Sequence, residues 1–199
     1  LTSREDEKLF LYFLLSLLIL GITQSCGPSA RLYRYDDKDK AYAGKLTDSV
    51  YMRLKAYLSS TTGQTVQDTI IIKYDYNHET CWYMLDLRPD DYIMPFIASN
   101  KQRKERIQKA RPQVSLFNFR EPGNKLNKIK KWDHSIIVDS SQQLLNRLFK
   151  ERCTCGNSIL VMPDQQYVFI RSDSHAEIFD LPQSRIEELL RGRQRKIPE

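Results

Sequence analysis

Four cysteines carry the chemistry this sequence can do: Cys26, Cys81, Cys153 and Cys155. Cys153 and Cys155 stand one residue apart in "ERCTCGNSILVMP", at the start of what reads as a buried strand. Thiols so spaced can bridge to a third cysteine, attack a disulfide once ionised, or hold a soft metal. With Cys81 and one of His78, His134 or His175 they match the donor count of a tetrahedral zinc or copper site. No metal is expected all the same, because the histidine of "SDSHAEIF" reads as a polar turn residue. Nor is another cofactor: none of the seven glycines sits in a G-x-G-x-x-G or phosphate-loop pattern. "GNSIL" lacks the second glycine of a nucleophile elbow, so a serine hydrolase is not expected either.

Which of these fates applies depends on the compartment, and the N-terminus speaks to that. Residues 9 to 22, "LFLYFLLSLLILGI", are uncharged and apolar. As a helix the run spans about 21 Å, short of the roughly 30 Å hydrocarbon core, which suits a signal sequence better than a stable span. "TQSCGPS" follows directly, with Ser25 before Cys26. This resembles the lipobox of bacterial lipoproteins, and the resemblance implies lipidation of Cys26 and a membrane-tethered, extracytoplasmic chain in the periplasm or cell envelope. A plain signal peptide and an uncleaved anchor stay open. In either case the cysteines meet an oxidising or redox-managed compartment.

The 199 residues, 41% hydrophobic and 28% charged, suffice for one globular domain after the targeting segment. The net charge of +6 is dispersed over "KQRKERIQKAR", "KLNKIKK" and "RGRQRK", without interleaved aromatics, so no nucleic-acid partner is expected. We divide the chain into a signal or anchor (1–25), a polar tether (26–46), one domain (47–192) and a basic tail (193–199).

Within that domain, residues 47–60 show helical spacing at Val50, Leu54, Tyr57 and Leu58, with Thr47 or Asp48 as N-cap. "TIIIKYDYN" (69–77) is a β-branched and aromatic run that predicts a central strand. Residues 90–110 predict a helix capped by Asp90 or Asp91, with Tyr92, Phe96, Ile97 and Ile107 on its inner side. A strand at "QVSLFNFR", a loop at "EPGNKLNKIKKWDH", a short strand at 135–139 and a helix at 140–150 capped by Asp139 or Ser140 follow. "SILVMP" and "YVFIR" predict a hairpin around "PDQQ", then another short segment at "AEIF" and a final helix from Pro182 to Gly192. Strands alternating with helices imply an α/β fold, a mixed sheet covered on both faces.

This element order resembles that of thioredoxin-like (redoxin) domains across roughly residues 47 to 192. "IIIKYDYNHETCW" looks like their first central strand running into the active-site loop, with Cys81 at the place of the nucleophilic cysteine. "SSQQLLNRLFKERCTCGNSILVMPDQQYVFIR" is similar to the family's later half. The motif is degenerate: Trp82, Tyr83 and Met84 follow Cys81, so the usual resolving cysteine is missing, and no proline precedes the strand after Gly156. The resemblance implies a three-layer fold in which the loop of Cys153 and Cys155 faces Cys81. Cys155, nearer the strand, is then the first choice of partner and Cys153 the second. Two functions follow from it. One is a membrane-tethered thiol-redox protein with Cys81, Cys155 and Cys153 as its catalytic set, acting on a thiol substrate or another envelope protein. The other is a non-enzymatic envelope lipoprotein that uses the fold for binding or assembly, its disulfide purely structural.

Overall fold

The computed structural model describes residues 40–77, 79–81, 85, 87–123, 131, 133–192 and 197. Strand β1 is Ala41–Lys45, followed by helix α1 (Asp48–Thr62), β2 (Thr69–Asp75), α2 (Asp90–Ala110), β3 (Val114–Arg120) and β4 (Ile136–Val138). Helix α3 (Gln143–Arg147), β5 (Asn157–Val161), β6 (Gln166–Ile170), a 3-10 turn (Glu177–Asp180) and α4 (Gln183–Arg191) complete it.

The six strands form one sheet in the order β1-β6-β5-β2-β3-β4. β2 pairs in parallel with β3, Thr69 opposite Val114 and Asp75 opposite Arg120, with α2 as the crossover that parallel strands require. On its other side β2 pairs antiparallel with β5, which turns back into β6. A parallel β-α-β unit joined through its central strand to a β-hairpin and closing helix is the thioredoxin-like arrangement, with β4 added in parallel outside β3.

Alternation along β2 explains the three layers. Ile70, Ile72 and Tyr74 face a core shared with Leu54 and Leu58 of α1 and with Leu144 and Leu145 of α3. Ile71 faces the opposite core, with Ile107 of α2, Ile186 of α4 and Phe179. Helix α1 begins where the Thr47 hydroxyl accepts the Val50 N–H, and it stops at Gly63, whose left-handed φ of 67° returns its N–H to the Ser59 carbonyl.

Several elements differ from the sequence reading. "AYAGK", read as tether, is edge strand β1, paired with β6 from Ala41–Ile170 to Lys45–Gln166. In α2 the inner residues are Ile93, Ile97 and Ile107, while Tyr92 and Phe96 are 47% and 46% exposed. Its N-cap is Pro89, with no side-chain cap bond. "AEIF" contributes to a 3-10 turn. Helix α3 is shorter than expected and starts after Gln142, itself left-handed at φ 55°. Asp139 does the capping work from further back: it is fully buried and accepts the Leu145 N–H (2.9 Å) and the hydroxyls of Tyr57 (2.5 Å) and Tyr74 (3.2 Å). Burial, and then the Asp139 charge, push the Tyr74 hydroxyl far above its ordinary range, so it remains a donor.

Candidate functional site: a disulfide at the end of the central strand

The C-terminal end of β2 delivers Cys81 to the loop that precedes β5. After Asp75 the chain leaves the sheet through Tyr76 and Asn77, and Thr80 and Cys81 are helical. The Thr80 N–H (2.9 Å) and hydroxyl (3.2 Å) both donate to the Thr154 carbonyl, strapping this turn onto the middle of Cys153-Thr154-Cys155. Cys81 and Cys155 are joined in a disulfide, their Cα atoms 5.3 Å apart across a separation of 74 residues. That distance lies inside the roughly 7 Å a bridge can span. Cys81 is half-buried and Cys155 is 8% exposed, so the Cys81 end of the bridge is the less buried one.

Cys153 is free and fully buried. Its thiol donates to the Glu151 carbonyl at 3.6 Å. Burial pushes the thiol up, outweighing the Asn157 and Ser172 donors and the Arg171 charge that would favour a thiolate. The two neighbouring cysteines therefore have separate surroundings: Cys155 meets Cys81, and Cys153 points among core polar groups.

The loop carrying both is held by a buried network. The Tyr76 hydroxyl lies 3.0 Å from the Phe149 carbonyl and 3.1 Å from that of Glu151, and Asn157 Nδ2 donates to the Tyr76 oxygen (2.7 Å) and the Glu151 carbonyl (2.9 Å). Asn157 Oδ1 accepts the Ser172 N–H at 3.0 Å. Arg171, buried, pairs with Glu151 and lies over the Tyr42 ring; Arg152 pairs with Glu121. These contacts fix the loop from β2, β5 and the end of β6 together.

Gly156, next to Cys155, is where the loop comes closest to β2. A Cβ there would meet the Tyr74 carbonyl at 2.6 Å and Lys73 Nζ at 2.8 Å, and would collide with Asp75 Oδ1. Two of those three obstacles are the members of a buried ion pair, so none can yield cheaply. Gly156→Ala is expected to lower stability by about 1 to 3 kcal/mol, read from the urea midpoint at unchanged m-value.

That ion pair joins Lys73 Nζ to Asp75 Oδ1 at 2.9 Å, both side chains about 5% exposed. Burial alone would lower the Lys73 ammonium, but neighbouring carboxylates, Asp75 first, hold it above its ordinary value. Glu79, two residues before Cys81, is 0% exposed. Its Oε2 accepts the Tyr76 N–H at 3.0 Å, and its Oε1 has no hydrogen-bond partner. Burial, and then the Asp75 charge, raise its carboxyl well above the usual range despite Lys73 and Arg120, favouring the neutral acid. The site is thus a bridge half-buried at Cys81, with a buried ion pair against the neighbouring Gly156 and a buried carboxyl two residues before Cys81.

Of the residues singled out from the sequence, Cys81 and Cys155 are brought together and Cys153 is placed apart from their bridge. Cys26 and His78 lie outside the described residues. His134 sits in the turn before β4, and His175 in the turn after β6, where its carbonyl accepts from Arg103. The bridge takes two of the thiols a Cys-x-Cys metal site would use, and among the described residues no cluster of three acidic, histidine or cysteine side chains could hold a metal. Lys73, Asp75, Glu79 and Gly156 were missed. Lys73 and Asp75 left a faint signal: two opposite charges two apart in a strand share one face.

Fold and site together define a thioredoxin-like α/β domain with a disulfide in place of the dithiol motif, joining the turn after β2 to the loop before β5. No family model and no curated protein matches the chain. Among solved structures it is similar to a secreted Mycobacterium tuberculosis disulfide oxidoreductase homologous to E. coli DsbE, at 7% identity over 63% of this chain and 82% of that one, with a TM-score of 0.34. So distant a likeness adds nothing to what strand order and bridge already establish.

Proposed function

We propose that this protein is an extracytoplasmic thiol-redox protein whose working group is the Cys81–Cys155 disulfide. The observation that carries the reading is the asymmetric burial of the bridge: Cys81 half-buried, Cys155 at 8% exposure. A substrate thiolate approaching from solvent reaches the Cys81 sulfur. It forms a mixed disulfide there and displaces the Cys155 thiolate, which takes up a proton in the loop. A second substrate thiol then attacks the mixed disulfide at the substrate sulfur, leaving Cys81 reduced and the substrate oxidised by two electrons. Cys155 is the leaving thiol of the first step, and the second substrate thiol resolves the mixed disulfide. Cys153, with its raised pKa and full burial, takes no direct part in this version of the catalytic set.

A persistent disulfide suits an oxidising compartment, which agrees with a signal sequence at residues 9–22. Tethering through a lipid on Cys26, or through an uncleaved anchor, belongs to the same proposal. No helix among the described residues is long and apolar enough to cross a membrane.

The test is equilibration in glutathione redox buffers, with alkylation and mass spectrometry of the Cys81 and Cys155 peptides. Reversible reduction with a midpoint above about −300 mV is expected for a working bridge. A lower potential would assign the bridge to stability alone and the chain to a non-enzymatic envelope module.

A further inference from the structure

We propose that the groove between α1 and α3 binds a small amphiphilic anion, a free carboxylate on an acyl chain of about eight to ten carbons. The groove has a volume of about 370 Å³ and a floor of Val50, Leu54, Leu144 and Leu148, all buried. Arg53 of α1 and Arg147 of α3 line it, and among the described residues no acidic side chain does.

Arg103, Arg106, Arg152, Arg171 and Arg185 all pair with carboxylates. Among the described residues Arg53 bonds only the neutral Ser49 hydroxyl, at 3.3 Å, and Arg147 has no hydrogen-bond or ion-pair partner. A carboxylate bound at the groove gives these unpaired guanidinium groups charge-assisted hydrogen bonds, which an arginine can make in bidentate form. The four aliphatic side chains below favour a tail rather than a bare anion. A volume of about 370 Å³ lies in the range of small-molecule sites and has room for a medium-length acyl chain. The proposal does not depend on the redox role of the Cys81–Cys155 bridge.

Titration calorimetry of the full chain with decanoate, below its micelle concentration, tests this. A single saturable site is expected, weakened at least about tenfold in Arg53→Gln/Arg147→Gln, and weakened similarly when 1-octanol replaces octanoate. Ala56→Trp, which fills the groove from its lining, is expected to abolish binding. Absence of saturation, or unchanged affinity in the double arginine variant, overturns the proposal. So does co-sedimentation with anionic vesicles that needs both arginines while free decanoate fails to bind, because it would make the groove a bilayer contact. Arg53 and Arg147 are exposed, so the double variant decides the matter even if Ala56→Trp does not fold.

Discussion

Cys81→Ser and Cys155→Ser are each expected to lower the unfolding free energy by about 4 kcal/mol in urea titrations. The bridge closes a loop of 74 residues, and freeing that loop in the unfolded chain restores entropy worth about 4.4 kcal/mol at 25 °C. The native side of the balance changes little. Thr80 stays strapped to Thr154, the Tyr76–Asn157–Glu151 network still holds the loop, and β2 keeps its pairing with β3 and β5. The reduced wild-type protein should therefore unfold at the midpoint of the serine variants, and Cys153→Ala should keep the difference between oxidised and reduced forms. If reduction costs far less than this, the loop already closes in the unfolded state through contacts other than the bridge. If either serine variant keeps a disulfide by mass spectrometry, Cys153 has replaced the missing partner.

The parts of this fold that were legible in the sequence are those where one residue type repeats at one period. Thr47, the i, i+4 spacing of Val50, Leu54 and Leu58, and Gly63 define α1 almost to its ends, because cap, stripe and stop are all local. The isoleucine run 70–72 marks a central strand because both faces of β2 are covered. Helix α2 misleads in detail. Tyr92 and Phe96 attract an inward assignment by being large, yet Ile93 and Ile97 share the buried face and the aromatics fall about a quarter turn away. Strand β1 is hidden for another reason: "AYAGK" holds one large apolar residue, and its place is set by backbone pairing to β6, which leaves no trace in composition. The same holds for the site. Cysteine chemistry pointed to Cys81 and Cys155, and only the thioredoxin-like resemblance put them together. Lys73, Asp75, Glu79 and Gly156 acquire their meaning from packing. A glycine that exists because an ion pair lies 2.8 Å below its missing Cβ looks, in sequence, like any loop glycine.

Glu79→Gln is expected to stabilise the protein increasingly as pH rises. Glutamine keeps the shape and the oxygen that accepts the Tyr76 N–H, while removing the ability to ionise. Below about pH 4.3, the ordinary value for an unfolded glutamate, both states of the wild type hold the proton and the two proteins should differ little. Above it the unfolded chain releases the proton. The folded chain does not, because burial first and the Asp75 charge second hold the carboxyl well above that value. The unfolded state then binds fewer protons than the native state, so wild-type stability falls by about 1.4 kcal/mol per pH unit relative to the variant. The loss ends at the folded-state pKa, where the difference levels off. Urea unfolding of both proteins from pH 4 to 9 measures the slope and the plateau, and the plateau locates that pKa. A flat difference across the range would mean that Lys73 and Arg120 keep Glu79 ionised, and the site would then carry two negative charges rather than one.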